Sequence, residues 1–168
     1  MHLPAFLSAR LPARIAALVF AASILALSAC SSGPVRRVSE PTASIQQLSV
    51  RADGQWDVQL RLQNYSSVPM RFDRTALALA FDNGPAARLD LQLGIDIGPE
   101  SADVVSVSLQ PTPLARIAVA DALAGRHGLA YTLKGSVEAT PEDKKPRSFE
   151  IDSRNQLNPA PGLDGVLR

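Results

Sequence analysis

Reactive side chains are scarce in this chain. Its 168 residues include one cysteine, Cys30, and two histidines, His2 and His127. A single thiol can form no internal disulfide and no multi-cysteine metal site, which leaves it open to modification. His127 stands in Gly125-Arg126-His127-Gly128, shortly after Asp121, where a carboxylate-oriented general base is conceivable. No nucleophile elbow accompanies it, and a polar turn residue at a helix C-terminus, where positive charge is favoured, is the simpler account. Asp90, Asp96, Glu100 and Asp103 surround one turn region and raise the question of calcium. Asp90 and Asp96 fall on the polar face of an alternating run, however, and no Asp-x-Asp-x-Asp loop is present. Asn64-Tyr65-Ser66 matches the N-glycosylation sequon. The sequence therefore predicts no catalytic residue, no cofactor-binding residue and no metal ligand.

Cys30 gains meaning from what precedes it. Arg10 and Arg14 lead into Ile15 to Leu27, an apolar run of 13 residues, and the small residues Ser28 and Ala29 follow. This is the three-part pattern of a secretory signal. Thirteen residues at helical rise span about 20 Å, less than the roughly 30 Å of bilayer hydrocarbon, which disfavours a permanent span. Leu27-Ser28-Ala29-Cys30 resembles a bacterial lipobox, where a diacylglycerol is attached to the cysteine sulfur and the chain is cut between Ala29 and Cys30. Residues 1–29 are thus expected to be removed and Cys30 lipidated. Each buried methylene contributes about 0.8 kcal/mol, so two or more acyl chains hold a protein on a membrane stably. Ser31 and Ser32 follow, with no aspartate, the pattern that in similar lipoproteins permits sorting to the outer membrane. The expected location is the bacterial envelope, anchored in the outer membrane and facing the periplasm.

The mature part would hold 139 residues, enough for one domain with a sizeable core. Loss of Arg10 and Arg14 takes the basic count from 17 to 15 against 16 acidic residues. That balance argues against a nucleic-acid partner, which requires a concentrated basic face. Residues 30–42 are rich in Ser, Gly and Pro without an apolar period and read as a flexible tether. Beyond it, alternating apolar runs recur between turn signals. Strands are expected at Ser44 to Val50, at Trp56 to Gln63 after the Asp53-Gly54 turn, and at Met70 to Asp73. Further strands run through Leu77, Leu79 and Phe81, through Leu89 to Ile97 and through Val105 to Leu109. The last two carry Leu129 to Val137, and Phe149 with Ile151. The exception is Thr112 to Gly125, a helix with Thr112 as N-cap, Pro113 in its first turn and Gly125 as its stop. The whole predicts an all-β fold: an immunoglobulin- or fibronectin-III-like antiparallel sandwich of about seven strands with one short helix, covering residues 43–157. Residues 158–168 are expected to form a loose tail.

Three stretches resemble the LEA-2 (late embryogenesis abundant group 2) family and its WHy domain. They are the strand running into an asparagine, Val58-Gln59-Leu60-Arg61-Leu62-Gln63-Asn64, the helix carrying Leu114, Ile117 and Leu123, and Tyr131-Thr132-Leu133-Lys134-Gly135 in the penultimate strand. Phe149 in the last strand also fits, whereas Tyr65 stands where many members carry proline. The resemblance implies a seven-stranded sandwich with a helix and a protective, stress-linked role without known catalysis. It supplies no active-site residues. The expected function is a lipid-anchored, non-enzymatic envelope domain whose partners are the membrane and, through binding, other envelope proteins. The alternative is an accessory lipoprotein docking to a transport or assembly complex through a strand edge. A hydrolase using His127 is the remote third reading.

Overall fold

The structure is a computed structural model that describes residues 36–82 and 84–168. The elements in order are β1 (Thr42–Val50), β2 (Trp56–Gln63), β3 (Met70–Phe81), β4 (Gly84–Ile97), β5 (Ala102–Leu109), α1 (Pro113–Gly125), β6 (Leu129–Pro141), β7 (Arg147–Leu157) and β8 (Val166–Leu167). They form two four-stranded sheets, ordered β5-β2-β1-β8 and β4-β3-β6-β7, and every neighbouring pair is antiparallel. Strands one, two and five thus face strands three, six and seven, as A, B and E face C, F and G in immunoglobulin-like sandwiches. The fourth strand stays beside the third, in the position of a C′ strand. The expected sandwich is what the chain forms, with β8 as an eighth strand.

Alternation explains most of the strands. In β2, Trp56, Val58, Leu60 and Leu62 are buried while Asp57, Gln59, Arg61 and Gln63 point outward. Met70 to Asp73 and Leu77 to Phe81, expected as separate strands, are one twelve-residue strand, β3. A bulge joins them: the register with both neighbours shifts between Phe72 and Arg74. Met70 and Phe72 face inward on even positions, and Leu77, Leu79 and Phe81 on odd ones. One extra residue, Asp73, moves the apolar set from one parity to the other and keeps it on one face. Its carboxylate accepts from Arg71 Nε (3.1 Å) and Thr140 Oγ1 (2.9 Å). Opposite Leu77, Gly135 has φ +143, and a Cβ there would run into the Ala76 carbonyl oxygen, so only glycine fits.

The helix starts as expected. Thr112 Oγ1 accepts from the Ala115 N–H at 3.3 Å and donates to the Pro85 carbonyl at 2.7 Å. Ala115, Val119 and Ala122 form its buried stripe, small residues that let the helix approach the sandwich closely. Leu114 and Ile117, by contrast, are 56% and 64% exposed. The stop is Arg126, not Gly125: Arg126 takes the left-handed conformation (φ 51, ψ 41), and the His127 N–H donates to the Ala122 carbonyl in a Schellman closure. Gly125 serves differently, since a Cβ there would press on the His127 ring at 2.6 Å.

Both ends of the domain depart from expectation. Residues 36–41, read as tether, lie against the loop after β2: Arg37 N–H donates to Ser67 Oγ (2.8 Å), Ser67 N–H to the Arg37 carbonyl (3.0 Å), and Ser39 N–H to Ser66 Oγ (3.0 Å). Val38 packs on the core, an apolar contact that a free linker would lack. The expected loose tail is instead an ordered arch. Leu167 is fully buried, β8 pairs with β1 through Leu48 and Ser49, and Arg168 N–H donates to the Asn158 carbonyl (2.8 Å). Pairing there covers part of the β1 edge, which would otherwise present unpaired main-chain groups.

Two polar groups tie the sheets together. The Tyr131 hydroxyl on β6 accepts from the Ile45 N–H of β1 (2.9 Å) beside a bulge in β1. Burial raises the phenol's pKa above its ordinary 10, partly offset by its hydrogen bonds with the Ile45 backbone and Asn155. At the other end of the strands, fully buried Asn64 spreads its Nδ2 hydrogens over the carbonyls of Val68 (2.9 Å), Ile97 (3.1 Å) and Gly98 (2.9 Å). Its Oδ1 accepts from the Ser66 N–H (2.8 Å). The sequon asparagine is therefore a buried structural donor.

Asn64→Ala should lower unfolding stability by about 3 kcal/mol, because several buried main-chain groups lose their partner at once. Asn64→Asp should be worse at neutral pH, with a carboxylate facing carbonyl oxygens, and should recover in part on acidification. Urea unfolding at two pH values measures both; an alanine variant within 0.5 kcal/mol of the parent would contradict the assignment.

Candidate functional site

Cys30, the expected lipidation site, and Ala29, on the other side of the expected cleavage, lie outside the described residues, as does the whole segment 1–35. What the structure places is the point where the domain begins. Arg36 reaches Glu142 and, at 3.0 Å, Asp143 on the β6–β7 turn, and Arg37 lies 3.8 Å from Glu100 on the β4–β5 turn. The chain therefore enters at the end of the sandwich that carries the loop 64–69 and these two turns.

His127 and Asp121 do meet. Nε2 lies 3.2 Å from Asp121 Oδ2, and Nδ1 lies 3.2 Å from the Gly128 carbonyl oxygen. Both nitrogens donate when the ring is protonated, which raises its pKa above the ordinary 6.5; the Gly128 carbonyl is the larger cause and Asp121 the next. To act as a base the ring would first have to give up one of these contacts. The pair sits exposed beside an open hollow of about 840 Å³ between the end of α1 and the arch 158–165, lined by Arg126, Asn158 and Asp164 among others. The four carboxylates considered for calcium do not form a cage: Asp90 pairs with Arg88 (3.2 Å) and Glu100 with Arg37. Among the described residues, no group of three or more His, Cys, Asp or Glu side chains is placed to hold a metal ion.

The more developed feature is apolar. One long side of the sandwich is closed by β1 and β7, where Ser153 Oγ donates to the Ala43 carbonyl (3.2 Å). On the opposite side β4 and β5 are the outer strands of their sheets and are not hydrogen-bonded to each other. Leu91, Leu93 and Ile95 on β4 and Val105 and Val107 on β5 face inward yet are only partly buried. Towards α1 this seam widens into a hollow of about 850 Å³, lined by Leu79, Ala86, Leu91, Val107 and Leu109. Such a trough, flanked by two strand edges with unpaired main-chain groups, can take an apolar chain or an added strand. Alternation placed these five side chains on the inner face but could not show that they border a gap, because seam and core residues share the same period. Their location on outer strands is the distinguishing signal, and it depends on sheet order.

No protein-family model and no curated protein matches the chain. Among solved structures it is similar to a late embryogenesis abundant (LEA) protein determined in solution, at 11% identity and a TM-score of 0.46, covering 91% of this chain and 85% of that one. It is also similar to a protein described as ApaA from Bordetella pertussis, at 14% identity and a TM-score of 0.46, covering 77% and 100% of the two chains. A protein from Archaeoglobus fulgidus shares 15% identity at a TM-score of 0.39, covering 71% and 96%. Likeness at this level bears on neither ancestry nor function.

The His127 contacts predict a titration. Because its pKa is raised on folding, the stability it contributes is complete below the unfolded value of 6.5 and is lost as pH rises through the folded value. NMR titration should give a midpoint above 6.5, and Asp121→Asn should move it down. A midpoint at or below 6.5 in the parent would contradict the geometry.

Proposed function

We propose that this chain is a lipid-anchored, non-enzymatic bacterial envelope protein whose sandwich is a binding or stress-protective domain of LEA-2/WHy type. The observation that carries the reading is the lipobox-like Leu27-Ser28-Ala29-Cys30, placed six residues before Arg36, the first described residue of the domain. An acylated Cys30 would hold such a domain beside a bilayer, in the outer membrane on the reading of Ser31 and Ser32. The strand ending at Asn64 and the Tyr131-to-Gly135 stretch support the family. Asn64 and Gly135 are the residues on which this fold makes unusual demands, a four-way buried amide and a position with no room for a Cβ. A protective role would consist in a stable polar-surfaced domain keeping envelope clients apart as water is withdrawn.

The second reading, an accessory lipoprotein of an envelope transport or assembly complex, is favoured by the apolar trough between β4 and β5. A partner strand entering there would gain main-chain hydrogen bonds from an edge and bury Leu91, Ile95, Val105 and Val107 together.

Cys30→Ser should abolish acylation and release the protein from membranes, with fractionation and flotation as the readout; retention identical to the parent would remove the anchor. The purified domain at equimolar ratio should then reduce aggregation of a client enzyme through drying. No protection, together with capture of one stoichiometric envelope partner, would move the assignment to the second reading.

A further inference from the structure

We infer that the end of the sandwich formed by the loop 64–69 and the turns 98–101 and 141–146 lies against the lipid headgroups, so that a bilayer surface is a second contact of the domain beyond the lipid itself. This rests on the anchor proposed above and adds an orientation to it.

The first argument is length. The stretch expected to act as tether runs to residue 42, but residues 36–41 are bound to the domain through Ser66, Ser67 and the Val38 contact. Only residues 31–35 separate Cys30 from Arg36. Six peptide units reach at most about 20 Å when fully extended. A strand of nine residues such as β1 is about 30 Å long. The leash is thus shorter than the domain, and it attaches at one end.

The second argument is what that end displays. Tyr65, 49% exposed, projects from the loop after Asn64, whose buried amide fixes the loop backbone. An exposed tyrosine combines an apolar ring with a polar tip and suits the headgroup layer. Lys144 and Lys145 are exposed on the neighbouring turn, beside Arg147. Of the acidic groups there, Glu142 and Asp143 share the single Arg36 and Glu100 faces Arg37, while Glu40, Asp96 and Asp103 are exposed, so this end carries no net positive charge and its lysines act only locally. Lysines near an anionic surface add a modest attraction within a Debye length. The opposite end, with α1 and the arch 158–165, then points into the periplasm with its hollow accessible.

The test uses the full-length lipidated protein reconstituted in phosphatidylethanolamine–phosphatidylglycerol vesicles whose acyl chains are brominated near the headgroup. Tyr65→Trp and, as an independent probe that leaves the loop intact, Lys145→Trp are compared with Ile117→Trp on the exposed face of α1. Native Trp56, buried in the core, supplies a constant background. Quenching at positions 65 and 145 should exceed that at 117 at least threefold. Equal quenching at all three positions means the domain lies on its side and overturns the proposal. So does absence of quenching at 65 and 145 in protein that floats with the vesicles, which leaves the anchor standing. Protein that fails to float overturns the anchor and the orientation together.

Discussion

The side-chain amide of Asn64 is the constraint on which this sandwich turns. It sits where β2 leaves the first sheet, and its hydrogens go to the end of β4 in the second sheet and to the carbonyl of Val68 just before β3. A buried carbonyl without a partner costs about 1–3 kcal/mol, so one side chain settles several debts of the loop backbone. The same residue orients Ser66, whose hydroxyl receives the N–H of Ser39 and so fastens the first residues of the domain. Crossover, loop and chain entry are thereby one connected network, and among the described residues no buried side-chain polar atom lacks a partner.

The two long sides of the sandwich differ for equally concrete reasons. On one, Tyr131 and Ser153 hydrogen-bond across the sheets to the β1 backbone, and the layers close. On the other, β4 and β5 belong to different sheets and follow each other through a short turn at Gly98 to Ser101. Toward the helix end a hollow opens between the start of β4 and the end of β5, to whose lining the helix contributes only its N-cap, Thr112. Of the three helix residues singled out by family resemblance, Leu123 packs against the core while Leu114 and Ile117 are exposed.

Arg36 and Arg37 lie at the Asn64 end of the sandwich, and α1 with the arch 158–165 lies at the other. His127 and Asp121 belong to the helix end and engage each other and a backbone carbonyl, as a helix-terminating turn does.

Sequence alone determined the alternation of most strands, the helix start at Thr112 and the all-β class, because each depends on local period, caps and turn chemistry. It misread β3 as two strands because a bulge at Asp73 breaks the period, although the fold needs that break to keep one face apolar. It marked Asn64 through the shape of a motif but could not assign its four partners, two of which lie more than thirty residues away. Tertiary structure decided the rest: the docking of residues 36–41, the capture of the last residues by β1, and which inward side chains are core and which border an opening. Those outcomes depend on sheet order and on contacts between distant segments, and neither leaves a trace in the spacing of neighbouring residues.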